Sequence, residues 1–397
     1  MTSPSRTATD AVPRLQRDPL TLALYGVFAA WGWFLFGFGP TVALLREEQG
    51  TSRGVAGLHG TAMAVGSGLA GVLAVTLARR FGRRRVVTTG LLVLVAGVGL
   101  VVSGGGLPVT LAGALVSGLG GLMAINAAGP ALADHHGERS TAALTEGNAV
   151  CTALGVLSPV ALGALAATAL GWRAATLVTL PLVALALLTL RRLPDEPALS
   201  RPAPPHPGPR RPMGRRFWAL WGVIVCGVAA EFATTFWAGD LLSARLGVRP
   251  GTAAATVGAF VLGMTVGRAF AARLALVLPA GVLLAGALAV AALGWAVLWT
   301  AGAPAVFVAG LTVCGLGVSL LFPLTLTMLM DASADRADTA AAVGSMGSSV
   351  ASGVAPFALG ALGDLVGPHR GFLLLPALFL VALGLLVGSG ALRRTAA

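Results

Sequence analysis

Apolar residues run in long blocks along this chain and do not alternate. Stretches of the about 17–25 predominantly apolar residues that an α-helix needs to cross a hydrocarbon layer recur near 20–45, 54–78, 86–104, 108–133, 141–168, 173–190, 217–242, 251–275, 279–300, 304–330, 339–365 and 371–392. Short polar segments containing Gly, Pro and Arg separate them. The pattern predicts an all-α polytopic membrane protein with twelve transmembrane helices. The first block is too long for a signal-peptide core of about 7–15 residues and is expected to stay in the membrane. Residues 1–17, rich in Ser, Thr and Arg, are expected to form a disordered cytoplasmic tail, with a second short tail over 393–397.

The blocks repeat. Val109–Gly120 aligns without gaps on Val306–Gly317, an offset of 197 residues. At the same offset Asp134 meets Asp331, Arg139 meets Arg336, Gly147 meets Gly344, Pro159 meets Pro356 and Arg173 meets Arg370. Ala/Gly/Leu-rich segments align readily by chance, but coincident Asp, Arg and Pro landmarks do not. The chain therefore reads as two parallel halves, 18–190 and 217–392, each of six helices. Between them, 191–216 is dense in Pro and Arg and reads as an extended cytoplasmic linker.

Composition sharpens this picture. The chain is 56% hydrophobic and 11% charged, with mean hydropathy +0.85, against about 45–50% apolar and about 25% charged in globular domains. A net charge of +12 would suggest nucleic acid in a soluble protein. Here it follows from topology, and no nucleic-acid partner is expected. The arginines gather in alternate loops, above all in Leu77–Val86, which holds five of them. Short Arg-rich loops stay on the cytoplasmic side. Both termini are thus expected inside, in a bacterial cytoplasmic membrane. Arg46, Arg53, Arg173, Arg245, Arg249 and Arg370 fall on the opposite side.

Few polar residues enter the apolar blocks, and any chemistry inside the membrane rests on them. Glu231 is the one acid deep within a block, about 22 Å from the cytoplasmic end by helical rise. Intramembrane acids are functional candidates by default, and Glu231 is read either as a proton carrier or as half of a permanent ion pair. Arg268, about 10 Å from the cytoplasmic face, is its natural electrostatic partner. It is equally placed to receive an anionic substrate group or to snorkel toward the surface. Asn126 and Asn148 count to similar depths on neighbouring blocks, where they bond each other or contact a ligand. Cys151, Cys226 and Cys314 lie in apolar blocks without ligand spacing and read as buried thiols, and His135-His136 as a solvated turn. No phosphate-binding loop or catalytic triad is present in the sequence, so neither an enzyme nor a cofactor or metal is expected.

The basic stretch resembles the signature loop between helices 2 and 3 of the major facilitator superfamily, roughly G-x-x-x-D-R-x-G-R-R. Arg80, Gly82, Arg83 and Arg84 match, while Val75 and Arg79 depart from its first Gly and its acid. The resemblance implies the twelve-helix fold and secondary transport by alternating access. It also implies a cytoplasmic gate in which Arg83 meets Asp134 and Arg273 meets Asp331, latching that side in the outward-facing state. In this family helices 1, 4, 7 and 10 line the central cavity, which brings Trp31 and Phe34 toward Glu231, Thr234, Thr235 and Trp237. Span four carries Ala114 where the family commonly places Arg, which removes that residue from proton coupling. Span five is similar to the family's antiporter motif G-x-x-x-G-P-x-x-G-G, keeping Pro159 and Gly163 but with Leu154, Ser158 and Leu162 at the other glycines. The resulting expectation is a monomeric, proton-linked exporter of a small organic compound. The alternatives are an importer or uniporter of an organic acid or other metabolite, with Arg268 binding the anion, and a transporter-derived sensor without net flux.

Overall fold

The computed structural model describes residues 15–200, 213–274, 277–333 and 337–392. Most of the expected N-terminal tail, the C-terminal tail and residues 201–212 of the linker lie outside the described residues. The first half comprises α1 (Pro19–Gln49), α2 (Arg53–Phe81), α3 (Arg83–Val102), α4 (Leu107–His136), α5 (Ser140–Ala166) and α6 (Gly171–Leu177 continued by Thr179–Arg192). The second comprises α7 (Arg215–Leu246), α8 (Pro250–Ala255 continued by Val257–Leu274), α9 (Ala280–Thr300), α10 (Pro304–Val318 continued by Leu321–Asp331), α11 (Ala337–Val366) and α12 (Pro368–Gly371 continued by Leu374–Gly388). Among the described residues, eleven helical stretches are long and apolar enough to cross a membrane. One of them, Leu107–Ala166, is α4 and α5 joined through a single turn of 3-10 helix at Gly137–Arg139, which accounts for the twelfth span.

Four spans expected to be continuous are interrupted: α6, α8, α10 and α12. In three of them the second segment carries Pro at its third position, Pro181, Pro323 and Pro376. Proline has no N–H to give to the carbonyl four residues earlier, and its ring crowds that carbonyl. The group so freed needs another donor in lipid. At Phe372 the Trp295 indole donates at 3.0 Å, alongside the Leu375 N–H at 3.2 Å.

The repeat is visible in how the helices touch. A Cβ on Gly118 would collide with the Met63 carbonyl, and one on Gly315 with the Phe260 carbonyl. Gly66 likewise meets Leu115 and Gly263 meets Thr312, while Gly120 meets Leu94 and Gly317 meets Ala291. Each pair of contacts is related by the 197-residue offset of Gly113 and Gly310. Small residues let helix backbones approach closely where no hydrophobic driving force exists between them. The same glycines therefore build α2–α4 and α3–α4 in one half and α8–α10 and α9–α10 in the other.

The halves meet along α2 with α11, α5 with α8, and α1 with α7. Gly57 rests on Phe357, Gly60 on Pro356, Gly360 on the Arg53 carbonyl, Gly163 on Gly251 and Ala255, and Gly39 on Thr235 and Phe236. All these residues lie in the parts of their helices remote from the basic hairpin. Close glycine approaches between the halves are absent from the hairpin side among the described residues. The closest backbone approaches between the halves therefore lie at the far face.

Candidate functional site

Where the halves meet, α7 packs against α1 and α5 against α8. Glu231 stands midway along α7, just below the level at which α7 closes against α1 at Gly39. Its side chain is partly exposed, and its carbonyl accepts the Thr235 hydroxyl at 2.8 Å. Arg268 on α8 is also partly exposed. The two groups do not form the direct bridge the sequence allowed. Among the described residues neither the Glu231 carboxylate nor the Arg268 guanidinium makes a hydrogen bond or ion pair. Counting depth along helices left them about 10 Å apart in level and carries no information on the azimuth of each side chain.

Several expected cavity residues are placed differently. Trp237 is buried, and its indole donates to the Pro356 carbonyl at 2.7 Å, tying α7 to α11. Thr234 is fully buried and bonds back to Ala230 at 2.7 Å, while Thr235 spends its hydroxyl on Glu231 of its own helix. Trp31 is buried with its ring over Gly121 of α4, the one side chain size that fits there. Phe34 continues a line of rings through Phe38 to Phe236 and borders a small internal pocket with Trp33, Thr41, Ser158 and Thr179. The Asn126–Asn148 hydrogen bond is not formed. Asn148 is exposed and donates to the Leu144 carbonyl one turn back, at 2.8 Å, and Asn126 is partly buried.

At the hairpin face Gly82 adopts φ 86°, a left-handed value open to glycine, and so turns α2 into α3 without an intervening loop. Arg83 meets Asp134 at 2.6 Å, and its guanidinium also donates to the Ala198 carbonyl at 2.9 Å. Arg84 donates to the carbonyls of Leu190, Leu193 and Pro194. Arg80 stacks over Phe81 at 5.2 Å. These arginines thus hold the start of the linker against their own half, where Ala198 and Leu199 are buried. The expected counterpart in the second half is absent: Arg273 and Asp331 are both exposed and form no ion pair. Arg83–Asp134 lies within one half, so it is not a lock between the halves in this conformation.

The lock that is present lies at the far face, and the sequence reading missed it. Asp240 of α7, its side chain 5% exposed, accepts Arg46 of α1 at 2.7 Å and Arg53 of α2 at 2.6 Å. Asp364 of α11 accepts the backbone N–H groups of Arg53 and Gly54 at 3.0 and 2.7 Å. Glu47 adds a weaker contact to Arg46 at 3.8 Å. Two acids of one half thus hold two arginines of the other. The available signal was Arg46 and Arg53 themselves, which sit on the arginine-poor side and so lack a topological explanation. A second charged cluster ties α1 to α4 and α5 at the hairpin face: Asp18 to His135 at 2.5 Å, and Arg17 to Glu146 at 2.8 Å. Burial alone would raise the Asp18 carboxyl. The Thr21 N–H and hydroxyl and the His135 ring together outweigh that and hold it below its ordinary value. Among the described residues no cluster of His, Cys, Asp or Glu has the makings of a metal site.

Among the described residues, twelve helices in two repeated halves define a polytopic transporter fold. The sequence matches the Major Facilitator Superfamily over residues 22–356, and the chain belongs to that family. It is therefore a secondary transporter of small molecules, not an enzyme. The fold is similar to that of a bacterial homolog of the human lysosomal transporter Spinster, solved inward-facing and unoccupied, at TM-score 0.72 and 14% identity over 94% of this chain and 96% of that one. It is also similar to the human organic anion transporter MFSD10 (TETRAN), at TM-score 0.70 and 16% identity over 94% and 100%. A D-xylose-proton symporter aligns at TM-score 0.74 and 12% identity over 92% and 96%. No curated protein matches the sequence.

Proposed function

We propose that the chain exports a small organic molecule in exchange for protons, by alternating access across a bacterial cytoplasmic membrane, as a monomer with both termini inside. The observation that carries this reading is Glu231: an acid in the body of α7 whose carboxylate makes no hydrogen bond or ion pair among the described residues. An ionised carboxylate at that depth costs about 2.5–3.5 kcal/mol on insertion scales, and a proton or a cationic substrate group removes the cost. The charge asymmetry supports a cytoplasmic hairpin face, and in that orientation the far-face lock makes this the inward-facing conformation. The degraded antiporter motif around Pro159 supports export.

The test is Glu231→Gln, which keeps the shape and removes the titratable charge. Counterflow of labelled against unlabelled substrate in proteoliposomes is expected to survive, because it needs no net proton movement. Accumulation driven by a pH gradient is expected to be lost. Undiminished pH-driven transport by a well-folded variant would sink the assignment. A second reading, carriage of an organic anion with Arg268 as receptor, is favoured by the absence of any partner to that guanidinium. It predicts loss of substrate binding in Arg268→Gln with Glu231→Gln unaffected.

A further inference from the structure

Gly82 joins α2 to α3 without a loop, so Arg79 and Arg80 at the end of one helix stand directly before Arg85 in the first turn of the next. Arg84 pins that corner to the end of α6, donating to the Leu190 carbonyl at 3.2 Å and to the Leu193 carbonyl at 3.0 Å. Those carbonyls flank Arg191 and Arg192. Five arginines, Arg79, Arg80, Arg85, Arg191 and Arg192, thus gather at one corner of the hairpin face, and all are exposed. Among the described residues none of them forms an ion pair, not even with Asp195 or Glu196 just beyond α6, and Arg80 alone stacks on a ring, that of Phe81. Like charges so gathered repel and call for a counter-charge. The rule that retains Arg-rich loops on one side of a membrane does not account for this corner. At the 197-residue offset Arg80, Arg85, Arg191 and Arg192 correspond to Val277, Val282, Gly388 and Ser389, so the matching corner of the second half is uncharged at these positions.

Apolar surface continues from the arginines along each of the three helices. Val72 on α2, Leu92 on α3 and Leu185 on α6 are exposed, and each stands seven residues from an arginine, Arg79, Arg85 and Arg192 respectively. Seven residues are two helical turns, so each pair shares a helix face, with about 10 Å between the levels of its members. We propose that this corner binds the headgroup of an acidic phospholipid in the leaflet that meets the hairpin face. The phosphate lies among Arg79, Arg85, Arg191 and Arg192, whose planar forks match its oxygens, and the acyl chains run along Val72, Leu92 and Leu185. A soluble anion has no use for those apolar strips, whereas a phospholipid places its hydrocarbon directly below its headgroup. The site involves neither Glu231 nor the transported molecule. An occupied site holds a corner of the first half at headgroup level, and the matching corner of the second half has no such tether.

The test is native mass spectrometry of the detergent-solubilised full chain, titrated with dioleoyl phosphatidylglycerol or with dioleoyl phosphatidylcholine, which share their chains and differ in net headgroup charge. Phosphatidylglycerol is expected to bind more tightly. Arg191→Gln with Arg192→Gln, and separately Arg79→Gln with Arg85→Gln, should each weaken that binding by about tenfold or more and leave phosphatidylcholine unchanged. Arg215→Gln with Arg216→Gln is the charge-matched control, since both residues are exposed at the hairpin end of α7 in the second half, and it should leave both lipids unchanged. None of these six side chains makes a hydrogen bond or an ion pair among the described residues, so all three variants are expected to fold, as elution behaviour on size exclusion will report. Equal binding of the two lipids overturns the proposal. So does a loss in the control as large as in the other two variants, which makes the attraction a property of the whole face. Displacement of phosphatidylglycerol by glycerol phosphate at matched concentration also overturns it, because the apolar strips then contribute nothing.

Discussion

A single hydrogen atom decides the closest helix contacts in this protein. Gly118 lies so near the Met63 carbonyl, and Gly315 so near the Phe260 carbonyl, that a methyl group at either position has backbone in its way. Backbone cannot move aside as a side-chain tip does, so the helices must part. Overpacking typically costs about 1–3 kcal/mol, and at a contact repeated along α2–α4 the upper end is expected. Gly118→Ala and Gly315→Ala should therefore lower thermal stability by similar amounts, because they disturb the same contact in the two halves. Gly71→Ala is the control: nothing lies within 4 Å of a Cβ there, and Ala favours a helix over Gly by about 1 kcal/mol. Unfolding of the solubilised protein followed by tryptophan fluorescence reads all three, and an unchanged Gly118→Ala would refute the close-approach account.

At the scale of elements, α1 is set by its first residue as much as by its apolar body. Asp18 caps it, accepting the Thr21 N–H at 2.8 Å and the Thr21 hydroxyl at 2.7 Å, with His135 of α4 closing the other side at 2.5 Å. Removing such a cap costs about 1 kcal/mol. The carboxyl titrates lower in the folded protein than in the unfolded chain, so its contribution is complete above the ordinary Asp value of about 3.9 and is lost as pH falls through the lower folded value. Asp18→Ala should thus be less stable than the parent at neutral pH, with the gap closing in acid below about pH 4. A gap that does not narrow at all as pH falls below about 4 would place the effect in packing. The apolar spans were legible in the sequence because length alone identifies them. The breaks in α6, α10 and α12 were not read, although Pro181, Pro323 and Pro376 were in view, because a uniformly apolar block offers no periodicity against which a kink shows. Glu231 was legible by depth. Its separation from Arg268 was not, and neither were the partners of Trp237 and Asn148, because these depend on how each helix is rotated against its neighbours.

At the scale of the whole molecule, one carboxylate connects three helices across the far face. Asp240 gives one oxygen to Arg46 and the other to Arg53, so a single substitution removes two bonds between the halves. The cations it strands matter more than the bonds themselves: breaking one partner out of a buried charge cluster costs about 3–5 kcal/mol, largely because the remaining charge is left uncompensated. Opening the far face brings water to Arg46 and Arg53 and relieves that penalty, so Asp240→Asn should shift the protein toward the conformation open there. Thr61 provides the reporter, since its hydroxyl donates across the α2–α11 contact to the Gly353 carbonyl at 2.7 Å, and the native cysteines are buried and contribute little background. A membrane-impermeant thiol reagent applied from the far face should modify Thr61→Cys several-fold faster when Asp240→Asn is present. Adding Arg46→Gln should slow that modification again, because one of the two stranded cations has gone. If the rate in Asp240→Asn equals that in the parent, the far-face cluster is not what holds the halves together, and the closure rests on the apolar contacts of Gly57, Gly60 and Gly360 with the opposing helices.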